Sequence, residues 1–155
     1  MSKSIGNVVD PMEQLTRYSS DSFRYYLMRN AVYGSDVPFS ESNLVYVHNS
    51  DLADVLGNLV HRATNLCNKN CGGVVPDCVP EPVFDVNLLR VQSEQAMSNL
   101  EVQRCCELAI NAMKDTNKYL TDSAPWAVKG DGAAARKAVI IRSTLEAVYL
   151  SLIHI

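Results

Sequence analysis

Apolar residues return every three or four positions through three long stretches of this chain, and nowhere does an apolar–polar alternation last more than a few residues. That pattern restricts the chain to packed helices. From Glu41 to about Lys69 the spacing predicts one long amphipathic helix, capped by Ser40, with Leu44, Leu52, Val55, Leu56, Leu59, Ala63 and Leu66 on its inner face. A second runs from about Val86 to Leu120 through Leu89, Met97, Leu100, Leu108, Ala109, Ala112 and Met113, and ends near Thr121, Asp122 and Ser123. A third starts near Ala133 and turns Ala138, Ile141, Leu145 and Val148 inward. Ahead of these, Asp10 followed by Pro11 is a start signal for a short helix over Met12 to Tyr18. Asp21 is expected to cap another over Ser22 to Arg29, with Phe23, Tyr26 and Leu27 packed and Arg24 and Arg29 on the polar side. Gly34, Ser35, Asp36 and Pro38 interrupt the chain, and Gly72, Gly73, Pro76, Pro80 and Pro82 mark a loop. Ala124, Pro125 and Trp126 fall in a further loop before Gly130 and Gly132. The fold class is therefore all-α: an antiparallel helical bundle preceded by short connector helices.

With 155 residues there is room for one ordinary domain, and 47% hydrophobic against 20% charged residues describes a core-forming chain. The balance of 14 basic and 17 acidic residues, a formal charge of −3, excludes a general nucleic-acid coat and leaves only local basic faces for RNA. A reader of a few unstacked bases can work within that limit, because stacking and hydrogen bonds do not need blanket phosphate neutralisation. No apolar run approaches the ~20 residues that cross a bilayer. Five cysteines, with Cys105 and Cys106 adjacent, suit a reducing compartment. The cytoplasm is the expected location, and the interior of a mitochondrion or plastid is compatible with the same chemistry. Cys67, Cys71 and Cys78 have the spacing of a zinc knuckle, with His61 one and a half turns earlier, but no evident fourth ligand; no metal is expected there. His48 and His61 read as surface or satisfied helix positions. No Ser-His-Asp set, carboxylate pair or Gly-rich phosphate loop of another enzyme class can be assembled.

Chemistry is concentrated in two places. The first is the run Met1, Ser2, Lys3, Ser4, Ile5, Gly6, Asn7, Val8, Val9, Asp10, Pro11. A Lys between two small hydroxyl residues, with Gly close behind, can carry a point charge and backbone donors to a polyphosphate, although by themselves such residues also suit a solvated turn. The run resembles the Lys-Met-Ser-Lys-Ser signature loop of class I aminoacyl-tRNA synthetases, with the loop's first Lys falling ahead of Met1. The resemblance implies that Ser2, Lys3 and Ser4 bind ATP and that Lys3 is the catalytic lysine, offsetting triphosphate charge as pyrophosphate leaves. Enzymes for methionine, valine, isoleucine, leucine and cysteine carry close versions of this loop, so it does not choose the amino acid.

The second place is the helical region. Asn58 and Arg62 lie four apart on one helix face, continued by Asn65 and Lys69, a stripe that by itself is ordinary solvated surface. Phe39-Ser40, Asn49-Ser50-Asp51-Leu52, Leu56-Gly57-Asn58-Leu59 with Arg62, and Ala124-Pro125-Trp126 together resemble methionyl-tRNA synthetases, from Met1 to about Tyr149. That resemblance implies a bundle of the class I synthetase anticodon-binding type in which Asn58, Arg62 and Trp126 hold the CAU anticodon of methionine tRNA. These residue types are chemically suited to such a role, since an indole face can receive an unstacked base, and an amide and a guanidinium can bond its Watson–Crick edge. The expected parent enzyme joins methionine to its tRNA through a methionyl-adenylate, using ATP and Mg2+. The family's zinc lies in an insertion of the catalytic region, so zinc is not expected in this segment. Two other readings are a non-catalytic tRNA-binding helical module and a fragment of a valine, isoleucine or leucine enzyme.

The expected organisation is a signature loop and connector over 1–40, an anticodon-binding bundle over 41–149, and a terminal peptide over 150–155. Leu150-Ser151-Leu152-Ile153-His154-Ile155 does not resemble the family's continuation and matches one reading frame of a common transposon sequencing adapter, so it is expected to be non-native. A catalytic fold with a His-containing ATP signature and a methionine pocket is expected ahead of Met1. By itself the chain is therefore expected to be inactive, because Lys3 alone cannot fix the reactants against one another.

Overall fold

The computed structural model describes residues 8–152. Every regular element among them is helical: α1 (Pro11–Arg17), α2 (Ser20–Asn30), α3 (Glu41–Val47), a π-helical segment (His48–Gly57), α4 (Asn58–Cys71), α5 (Val86–Ser98), α6 (Val102–Ser123) and α7 (Ala133–Leu152). Asp10 caps α1 by accepting the Met12 N–H at 2.8 Å, with Pro11 in the first turn where its missing N–H is harmless. The cap of α2 is Ser19, not Asp21; its hydroxyl accepts the Ser22 N–H at 3.2 Å. Ser40 caps α3 through the Asn43 N–H.

The helix expected over 41–69 is continuous but changes its hydrogen-bond register. Over His48–Gly57 the turns widen, and the Asn58 N–H reaches back to the carbonyl of Ala53, five residues earlier. Within this segment Asp51 is buried, 7% exposed, while Leu52 is only partly covered. Gly57 sits where a Cβ would lie 3.2 Å from the Leu52 carbonyl oxygen, a backbone atom that cannot swing aside.

The helix expected over 86–120 is two helices. Asn99, Leu100 and Glu101 separate α5 from α6, with Leu100 in the left-handed region at φ 61°. The Leu100 N–H bonds the Met97 carbonyl at 3.0 Å and the Glu101 N–H bonds the Ala96 carbonyl at 2.8 Å, the paired bonds of a Schellman cap. That cap ordinarily uses Gly, which is why a stretch without Gly or Pro carries no sign of a break. The break also turns Met97 and Leu100 outward, 55% and 49% exposed, where the unbroken helix would have packed them.

The core forms where α6 meets its neighbours. Leu59 of α4, Ile110 and Met113 of α6 and Val148 of α7 pack together, flanked by Tyr25, Val55 and Leu56. Full burial of one such side chain contributes about 1.5–3 kcal/mol. Leu89 of α5 meets Leu108 and Ala112 of α6 beneath Phe84. Thr116 of α6 and Thr144 of α7 are fully buried, each hydroxyl donating to the carbonyl four residues back at 2.8 Å. These short side chains satisfy their own hydroxyls inside the protein. A further core joins the connector to α3: Tyr26, Leu44 and Val47, with Tyr18, Phe23, Tyr25 and Phe39 around them. Tyr26 meets Phe39 edge to face at 5.7 Å and accepts the Ser40 N–H at its hydroxyl. Leu27, expected inside, is exposed. Helix α7 continues through Leu150, Ser151 and Leu152, with Ser151 buried; the remaining three residues of the terminal peptide lie outside the described residues.

Two substitutions probe this packing. Leu59→Ala should lower stability by about 2–5 kcal/mol, read by denaturant titration. Leu100→Gly should raise it by up to about 1 kcal/mol, because a left-handed L-residue costs ~1–2 kcal/mol and glycine returns only part of that through the unfolded chain. A lower midpoint for Leu100→Gly would mean that the side chain's contacts outweigh the backbone strain. Glu41 supplies a pH test. The Tyr18 hydroxyl bonded to it at 2.6 Å, joined by Arg17, holds its carboxyl below the ordinary range. A depressed folded-state value means stabilisation that is present above about pH 4.3 and is lost as pH falls through the folded value. Tyr18→Phe should shrink that acid dependence in thermal melts taken between about pH 5 and pH 3.

Candidate functional site

Arg62 and Trp126 are brought together from separate elements. Arg62 projects from the second turn of α4, and Trp126 stands in the turn that follows α6. Ala124 ends α6 in a left-handed conformation, φ 40° and ψ 59°, and its carbonyl accepts the Ala127 N–H at 2.8 Å. Between them Pro125 is buried in the core, which pins the turn, while the indole of Trp126 remains 56% exposed. The Arg62 guanidinium carbon lies 6.0 Å from the centre of that ring, within range of a cation–π contact.

Two residues of α6 hold the guanidinium. Arg62 Nη1 donates to Asn117 Oδ1 at 3.0 Å and Nη2 to Thr121 Oγ1 at 3.1 Å. Asn117 is itself anchored, its Nδ2 donating to the Val55 carbonyl of the π segment at 3.1 Å. The Thr121 hydroxyl donates to the Asn117 carbonyl at 2.9 Å. Neither Asn117 nor Thr121 stands out in the sequence, since a helix-to-helix bond has no local spacing to reveal it.

Beside this pair runs an open groove of about 310 Å³ lined by His61, Arg62, Asn65, Leu66, Lys69 and Trp126. Its lining holds Arg and Lys and no carboxylate, on a chain whose net charge is −3. The Asn65 amide donates to His61 Nε2 at 2.9 Å, which orients both along the rim. Asn58 is exposed one turn before Arg62 and does not line the groove. Ser2, Lys3 and Ser4 lie outside the described residues.

The connector is locked to the bundle by a buried carboxylate. Asp51 accepts the Tyr25 hydroxyl at 2.9 Å and Arg29 Nε at 3.3 Å, and Arg29 Nη1 reaches Glu107 of α6 at 3.0 Å. Arg29, expected on the polar side of its helix, is thus turned inward as a bridge. Burial, reinforced by the Asp51 charge, pushes the Tyr25 phenol far above its ordinary value and keeps it a donor.

The cysteines are free thiols. Cys67 is buried and donates to the Val74 carbonyl, and burial pushes the Cys71 thiol up, with Cys67 and Cys78 adding to the effect. Among the described residues no group of three His, Cys, Asp or Glu side chains is placed to hold a metal ion, and no helix is long and apolar enough to cross a membrane.

The lock gives a stability test. Asp51→Ala strands the Tyr25 hydroxyl and the half-buried Arg29, and should cost about 2–4 kcal/mol in denaturant titration. A loss under about 1 kcal/mol would show that water replaces the carboxylate.

Comparison with known proteins agrees with this architecture. Residues 1–64 match the family described as tRNA synthetases class I (M). The chain is 34% identical over 97% of its length to a methionine–tRNA ligase of Synechocystis, and 35% identical over 96% to that of Thermotoga maritima. It covers 30% and 25% of those proteins. The fold superposes on Mycobacterium tuberculosis methionyl-tRNA synthetase in complex with methionyl-adenylate with a TM-score of 0.80 and 30% identity, over 99% of this chain and 32% of that one. Spanning about a third or less of the length of the relatives it matches, the chain belongs to the methionyl-tRNA synthetase family.

Proposed function

We propose that this chain recognises the CAU anticodon of methionine tRNA through Trp126, Arg62 and Asn58, on behalf of an enzyme that joins methionine to that tRNA. The observation that carries the reading is the Arg62–Trp126 pair beside a groove lined by cations and no acid. An exposed indole offers a face for one unstacked base. The clamped guanidinium keeps N–H donors beyond the two already engaged and can bond that base's edge or the adjoining phosphate. Asn58, a turn away, supplies an amide for a neighbouring base. Residues 41–149 are proposed as the anticodon-binding bundle and 1–40 as the signature loop and connector to the catalytic region, with Ser2, Lys3 and Ser4 at ATP and Lys3 as its catalytic cation. ATP and methionine are proposed as substrates of the whole enzyme. Mg2+ would accompany the nucleotide's phosphates, and no residue of 8–152 is assigned to it.

The test uses the full 155-residue chain, first shown to be helical by circular dichroism, with a stem-loop carrying CAU and another with a changed anticodon. The expected outcome is preference for CAU, with Trp126→Ala losing about 1–3 kcal/mol of binding while its melting temperature holds. Equal affinity of the folded chain for both stem-loops, or no effect of Trp126→Ala, would overturn the proposal.

A further inference from the structure

A guanidinium on an exposed helix ordinarily samples many rotamers, and a reader of base edges must lose that freedom before it can discriminate. In this structure the loss precedes binding, and the donor and acceptor chemistry admits one arrangement only. Arg62 can only donate, so it must meet Asn117 through Oδ1. The Val55 carbonyl can only accept, so it must meet Asn117 through Nδ2. The amide is thereby fixed at both ends. Thr121 gives its one proton to the Asn117 carbonyl, which leaves a lone pair for Arg62 Nη2. Held in this way, the guanidinium rests against the ring of Trp126.

We propose that Asn117, supported by Thr121, is a positioning residue for base recognition: it fixes the Arg62 guanidinium against Trp126 and ties that geometry, through the Val55 carbonyl, to the π segment. The proposal rests on the reading of Arg62 and Trp126 as anticodon-binding residues, but the geometric half of it can be measured without RNA. Asn117 itself touches no base; it acts on Arg62 and leaves that side chain to make the contact.

Trp126 is the chain's single tryptophan, so its emission on excitation at wavelengths where tyrosine is silent reports the guanidinium beside it. Arg62→Ala should shift that emission, and Asn117→Ala should shift it in the same direction with Arg62 still present. In stem-loop binding, Asn117→Ala should lower affinity for the CAU stem-loop by about 3- to 10-fold, the range of one lost hydrogen bond. The Arg62→Ala/Asn117→Ala double variant should bind no more weakly than Arg62→Ala alone, because the amide acts through the arginine. Thr121→Ser keeps the hydroxyl and should behave as the parent chain, whereas Thr121→Val should lose part of the effect. These two changes lie on the exposed rim, so they decide the matter if Asn117→Ala fails to fold. Unchanged Trp126 emission and affinity in a folded Asn117→Ala, or a loss that adds fully to that of Arg62→Ala, would overturn the positioning role. If Arg62→Ala leaves stem-loop binding unchanged, the anticodon reading fails and recognition with it, and the emission of Asn117→Ala then shows separately whether the clamp exists.

Discussion

The carboxylate of Asp51 is held inside the protein at the junction of α2, the π segment and α6, and the relation between connector and bundle depends on it. A buried charge is tolerated only when its partners are in place, and here they come from a different helix: the phenol of Tyr25 and the guanidinium of Arg29, which is also bonded to Glu107. Apolar packing alone would leave α2 free to slide, since Tyr25 already borders both the Leu59 and the Tyr26 clusters. Directed bonds to one carboxylate remove that freedom. The ion pair is therefore a device for geometry as much as for stability.

The same segment that buries Asp51 also shapes the candidate site. Asp51 follows Leu44 by seven residues and precedes Val55 by four, so it shares their side of the helix and meets α2 there. Asp51 is buried within the widened turns of His48–Gly57. These turns leave Val55 with its carbonyl against Asn117, and Arg62 then emerges from α4 within reach of the same amide. Gly57 is the local condition for this, since a Cβ would crowd the Leu52 carbonyl that the widened turn brings near. Connector docking and the setting of Arg62 thus follow from one irregular stretch of backbone.

Which parts of this were legible follows from which signals are local. Asp10-Pro11 and Ser40 act on their own neighbours, and those helix starts were readable. The inward set Leu44, Leu59, Ala63, Ile141 and Val148 follows from periodicity and is buried or nearly so. The π register was hidden because a gain of less than one residue per turn over ten residues leaves a three-and-four apolar pattern almost intact. The break at Leu100 was hidden because its left-handed residue is not a Gly. Arg29 reads as solvent-facing on polarity alone, because its partners Asp51 and Glu107 lie 22 and 78 residues away. At the site, Arg62 and Trp126 came from a family resemblance that local physics would not have supplied, because a stripe of Asn and Arg is ordinary surface. Their meeting is a tertiary fact, as is the clamp from Asn117 and Thr121.

The turn that carries Trp126 points in the same direction. A ring of that size gains most by burial, and the adjacent Pro125 has found it, yet the indole stays more than half exposed. A glycine would adopt the left-handed conformation that begins this turn without strain. Instead Ala124, which lacks the glycine's freedom, takes that conformation. Strain in the backbone, a buried proline and an exposed indole beside a clamped cation form one arrangement, in which the stable interior holds an apolar face where a solvent-borne base can reach it. On a chain of net charge −3, the proposed recognition by stacking beside one or two local cations is also the mode that long-range repulsion from RNA penalises least.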